Sequence, residues 1–119
     1  MVAWDVRLLA EVEDWILGLD DDTYDQVAAA IDVLADLGPA LGRPLVDRIQ
    51  GSKVHSLKEL RPGSSGGSEV RVLFVFDPDR RAVLLVGGDK AGDWRGWYAK
   101  NIPVAEWRYD EWLRGERDE

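Results

Sequence analysis

The chain has 119 residues, 45% of them apolar, no cysteine and a net charge of -8. That length supports one hydrophobic core rather than two, and the lack of thiols excludes both a disulfide framework and thiolate chemistry. The charge is uneven: residues 1–37 carry ten acids and one base, residues 38–100 eleven bases and seven acids, and residues 101–119 three bases and six acids, so one surface of the middle segment is suited to an anion.

Residues 2–7 (VAWDVR) alternate enough to predict a short first strand, at an edge. Leu8, Val12, Trp15, Ile16 and Leu19 then form one helical stripe, opposed by Glu11, Glu13 and Asp14. The run Asp20-Asp21-Asp22-Thr23 supplies N-caps for a second helix, with Thr23 and Gln26 at capping-box spacing. Val27, Ala30, Ile31 and Leu34 make its apolar face, and Gly38-Pro39 stops it. The two helices predict an antiparallel hairpin with an anionic outer face. GPALGRPLVDRIQGS reads as a loop, Val54 to Arg61 as a strand ended by Pro62, and PGSSGGS as a turn. Val70 to Asp77 is the strongest strand, apolar on both faces over part of its length. Asp77-Pro78-Asp79-Arg80 is a turn, Ala82 to Val86 a further buried strand, and Gly87-Gly88 releases the chain. Asn101 and Pro103 are expected to open a last helix, anchored by Trp107 or Trp112. The result is one α+β domain over residues 1–119, ordered β-α-α-β-β-β-α, with a helical hairpin packed on a small, mainly antiparallel sheet. Acids interrupt the N-terminus where a secretory signal needs an apolar run, and no window is long enough for a membrane span, so a cytoplasmic protein without membrane association is expected.

Leu57-Lys58-Glu59-Leu60-Arg61, a glycine-rich turn, Val70-Arg71-Val72-Leu73-Phe74, a hairpin into Val83 to Val86, and then Gly-Asp-Lys resemble the HigB branch of the RelE-like toxins, including their phage-derived relatives. The resemblance implies the toxin of a type II toxin-antitoxin system, a small ribonuclease that cuts messenger RNA on translating ribosomes. It also implies a cognate antitoxin, in many relatives one with a helix-turn-helix. By position, Arg71, Arg61 and Lys90 match cations of the family site, and Lys58 lies near another. The final catalytic side chain of several relatives has no histidine counterpart here, so that role passes to Tyr98 or Tyr109 or is missing.

Metal-independent RNA cleavage uses the 2′-hydroxyl as nucleophile and needs a base, an acid and cations for the phosphorane. Guanidinium groups such as Arg61 and Arg71 grip phosphate through paired hydrogen bonds. The plainer reading of Arg71 is a cross-strand ion pair with Glu59 or Glu69. His55, the only histidine, is the natural base by its ordinary pKa, although a lone histidine is more often a surface or core residue than a catalyst. Lys53 adds to the basic region around it. Trp94, Trp97 and Tyr98 are expected in a loop, with the two tryptophans available to stack on unpaired bases. No cofactor and no metal are expected. The second functional class is a catalytically weak relative that binds a protein partner, a reading favoured by the acidic balance.

Overall fold

The computed structural model describes residues 3–63 and 66–117. Five strands, β1 (Asp5–Leu8), β2 (Val46–Arg48), β3 (Lys58–Leu60), β4 (Val70–Phe76) and β5 (Arg81–Asp89), form one sheet in the order β1-β5-β4-β3-β2. β1 runs parallel to β5 and every other pair is antiparallel. Helices α1 (Ala10–Leu17) and α2 (Asp21–Leu37) cover one face and α3 (Trp94–Leu113) the other.

Two adjacent glycines show how close these layers lie. A Cβ on Gly87 would stand 2.2 Å from the Trp15 ring of α1, and one on Gly88 would stand 2.5 Å from Trp97 Nε1 of α3. Successive strand residues point to opposite faces, so the pair opens room on both sides of β5 at one level. These glycines therefore stay inside the strand and do not release the chain as the sequence suggested.

Burial follows the apolar pattern. Val72, Leu73, Phe74 and Val75 are fully buried, as expected for a strand covered on both sides, and Val12, Ile16, Val27, Ala30 and Leu34 meet them from the helical hairpin. The Asp20 carboxylate caps α2 by accepting from Thr23 N at 2.7 Å. Gly38 ends it at φ 55°, where a Cβ would strike the Trp4 indole, so both backbone angle and space require glycine. Trp4 in turn stacks edge-on against Phe76 and under Arg80.

Three elements differ from the sequence reading. The expected loop after α2 contains β2, a three-residue strand that pairs Val46 with Leu60 and Arg48 with Lys58; it is too short to show a period and exists because β3 presents an edge. Only Lys58–Leu60 of the expected strand from Val54 is paired, and His55 sits in an exposed turn. The last helix begins at Trp94, not Asn101, capped by Asp93 accepting from Gly96 N at 3.1 Å, with Pro103 inside it. Trp94, Trp97 and Tyr98 are therefore helical. Trp112 packs on the core while Trp107 is 63% exposed. Ser64 and Ser65 of the expected glycine-serine turn, and Val2 of the expected first strand, lie outside the described residues.

Polar contacts fix α3 in place. Arg108 donates to the carbonyl of Leu85 at 2.8 Å, the residue skipped by the β4–β5 register shift. Trp112 Nε1 donates to Asp77 Oδ2 at 2.9 Å, and Asp77 also accepts from Asp79 N and Arg81 N across the β4–β5 turn. Burial pushes the Asp77 carboxyl up, but these bonds outweigh it and leave it below the ordinary range. Arg117 forks onto Glu11 of α1 at 2.6 and 2.9 Å and holds that carboxyl down at about 2.

Gly88→Ala is expected to lower folding stability by about 1–3 kcal/mol, because the indole beneath it must move; an unchanged denaturation midpoint would contradict the packing. Both depressed carboxylates stabilise the fold above their unfolded pKa values and lose that contribution as pH falls. For Glu11 the window runs from 4.5 down to about 2. Its 42% exposure limits the effect to about 1 kcal/mol. Melting curves from pH 6 to 2 should fall more steeply for wild type than for Arg117→Ala.

Candidate functional site

Glu59 and Asp47 stand directly opposite each other on β3 and β2. Like charges in that register repel, and Arg61 resolves the conflict by reaching between them. Its Nη2 donates to Glu59 Oε2 at 2.8 Å and to Asp47 Oδ2 at 3.1 Å, and its Nε donates again to Glu59 at 2.9 Å. Glu59 is only 3% exposed, so a full set of donors is what keeps its charge tolerable away from water.

The remaining donor comes from the opposite layer. Tyr98, on the first turns of α3, donates its hydroxyl to Glu59 Oε1 at 2.5 Å. Burial and the adjacent carboxylate together raise the phenol far above the ordinary tyrosine range, so this group keeps its proton at any physiological pH and cannot act as a base there. Arg71 lies beneath, 3.9 Å from Glu59 Oε1, with one Nη donating to the carbonyl of Val70 at 2.8 Å and its Nε buried without a hydrogen-bond partner. The ion pair with Glu59 that the sequence allowed is thus present as a long contact, while Glu69 pairs instead with Lys90 at 3.7 Å. Lys90 Nζ also sits 5.3 Å from the centre of the Tyr98 ring.

A cleft of about 480 Å³ opens above Glu59, Arg61 and Tyr98. Arg43, Asp47 and Arg48 form the β2 wall with Ile49 and Gln50, while Trp94 and Ile102 of α3 form the other. Asp47 accepts from Arg48 N at 2.8 Å and lies 3.2 Å from Arg43, and these contacts hold its carboxyl below the usual range.

The structure therefore brings Arg61, Arg71, Lys90 and Tyr98 together and puts Trp94 at the cleft rim. Lys53 lies to one side, in a small recess beneath Tyr98 and Pro103, with its backbone N–H donating to Glu106 at 2.7 Å. Trp97 packs onto Gly88 and lines a separate shallow cleft with Lys100 and Asn101. Lys58 and His55 do not join the group: strand alternation turns Lys58 to the other face, 6.0 Å from the Phe76 ring, and His55 lines none of these clefts. Glu59 as a central acceptor, and Arg43 and Arg48 as cleft cations, were not read from the sequence. Their signal is the β2–β3 register, which no single strand displays.

The joint contribution of Glu59 and Tyr98 is measurable by a double-mutant cycle. Glu59→Gln and Tyr98→Phe are expected to couple by about 1–2 kcal/mol in unfolding free energy; strictly additive losses would show that the hydrogen bond is absent.

The chain is similar to several known proteins. "Putative toxin HigB3" of Mycobacterium tuberculosis strain H37Rv is 50% identical over 111 residues, covering 93% of this chain and 95% of that protein. "Putative toxin HigB2" of the same organism is 53% identical over 102 residues, covering 86% of this chain and 51% of that longer protein. Among solved structures, a double mutant of the E. coli toxin RelE in the free state superimposes with a TM-score of 0.61, covering 92% of this chain and 97% of that one at 9% identity. That likeness shows a RelE-like fold. The family described as phage derived protein Gp49-like (DUF891) matches residues 14–110. With most of its length matched in this way, the chain is a member of the Gp49-like, HigB-type family.

Proposed function

We propose that residues 1–119 act as one domain, the toxin of a toxin-antitoxin pair, and that it is a metal-independent endoribonuclease cutting messenger RNA on translating ribosomes. The observation that carries the reading is the Tyr98–Glu59–Arg61 cluster at the floor of an open cleft, in a chain half identical to a protein named as a toxin. The partners that follow are a cognate antitoxin, with a helix-turn-helix domain, and the ribosome with its message, which places the protein in the cytoplasm.

In this mechanism Glu59 accepts the proton of the attacking 2′-hydroxyl. Tyr98, held protonated, turns its hydroxyl from Glu59 to the departing 5′-oxygen and donates there. Arg61 stabilises the charge developing on the phosphorane, with Arg71 and Lys90 behind it. His55, in an exposed turn outside the cleft lining, has no part. The second reading, a weak or inactive relative that binds protein, is favoured by one observation: Arg61 is engaged by two carboxylates and Arg71 by one before any phosphate arrives.

The test is induced expression in a bacterial host, with and without the adjacent gene, with RNA ends mapped. Wild type should arrest growth, create new ends inside coding regions, and be relieved by its neighbour. Arg61→Lys keeps a cation between Asp47 and Glu59 but loses the planar fork, and should cut about 10²-fold more slowly. Normal growth with a folded, soluble protein would move the assignment to the binding module.

A further inference from the structure

The cations expected to hold phosphate are largely neutralised within the molecule, whereas a neighbouring group is not. Arg48, at the end of edge strand β2, is exposed, and the described residues give its guanidinium no ion pair. Arg43 on the same wall is 78% exposed and pairs with Asp47 at 3.2 Å. Across the cleft, Trp94 is 55% exposed although it begins a helix whose next aromatic residues turn inward, and Arg95 lies 5.2 Å from its ring. A half-exposed indole with Arg95 over its ring, in the same cleft as a guanidinium that has no ion pair among the described residues, offers what a single-stranded nucleotide requires: a face on which to stack the base and a fork for its phosphate.

We infer that the β2 edge and the first turn of α3 form a subsite for a nucleotide flanking the cleaved bond, with its base on Trp94 and its phosphate on Arg48. The subsite rests on the nuclease reading for its substrate class and extends it. Glu59, Arg61 and Tyr98 then act on the scissile linkage at the cleft floor, while Arg48 holds the neighbouring phosphate and Trp94 favours the bases that stack most strongly, which modestly biases where the message is cut. The open mouth suits an unpaired strand, whose bases are free to stack.

Binding is tested by fluorescence anisotropy of the full chain with a labelled ten-nucleotide RNA of mixed sequence, 2′-O-methylated to prevent cleavage. Trp94→Ala should weaken binding at least fivefold, given a stacking contribution of about 1–3 kcal/mol. Arg48→Ala should weaken it and lower the salt slope by about 0.7. Trp107→Ala, an exposed tryptophan outside the cleft, should bind as wild type does. Wild-type affinity in both cleft variants, an equal loss in Trp107→Ala, or no wild-type binding at low salt would overturn the subsite. In a translation extract, Trp94→Ala should shift the pattern of cut sites; an unchanged pattern from a variant that still cuts overturns the subsite alone. A wild type that binds the oligonucleotide through Trp94 and Arg48 yet leaves message intact supports the subsite and removes the nuclease reading.

Discussion

A buried carboxylate held by two donors, the Arg61 guanidinium and the Tyr98 hydroxyl, with Arg71 beside it, is the constraint on which the rest of the structure turns. Glu59 links β3 to β2 through Arg61 and Asp47, approaches β4 through Arg71, and reaches α3 through Tyr98. Removing one partner of a buried charge typically costs about 3–5 kcal/mol, since the other is left uncompensated. The same contacts that hold the helical layer on the sheet therefore set the chemistry of the cleft. A substitution at Glu59 acts on the packing of α3 as well as on the cleft.

The charge distribution follows from this arrangement. An acidic chain presents a surface to an anion only where bases outnumber acids locally, and the β2 wall with Arg43, Arg48 and Arg61 is such a place. The acids of α1 and α2 lie on the opposite side of the sheet, where repulsion of a polyanion favours approach from the cleft side. Arg117 and Arg108 spend their charge on Glu11, which binds the C-terminal segment to α1 and leaves these bases committed to structure.

Much of the fold was legible in the sequence because long periodic elements carry their own signal. The stripes of α1 and α2, the stop at Gly38 and the doubly buried β4 needed no tertiary information. β2 was not legible: three residues, two of them charged, become a strand only when β3 offers hydrogen-bonding groups. The start of α3 was misplaced because Pro103 resembles a first-turn proline, while the true cap is Asp93 in a glycine-containing stretch. Arg61, Arg71, Lys90 and Tyr98 were found through family resemblance and do converge. Glu59 was seen only as a possible ion-pair partner, because its role depends on which acid lies across the ladder and which helix lies above it.

The most direct test of the account is single-turnover cleavage of a ribosome-bound message by the Glu59→Gln variant in a purified translation system, with its melting curve recorded in parallel. A folded protein is expected whose cleavage falls by about 10²–10⁴-fold, the contribution of a positioned proton acceptor. A folded Glu59→Gln variant that cuts within about threefold of wild type would contradict it and leave Glu59 a structural residue alone.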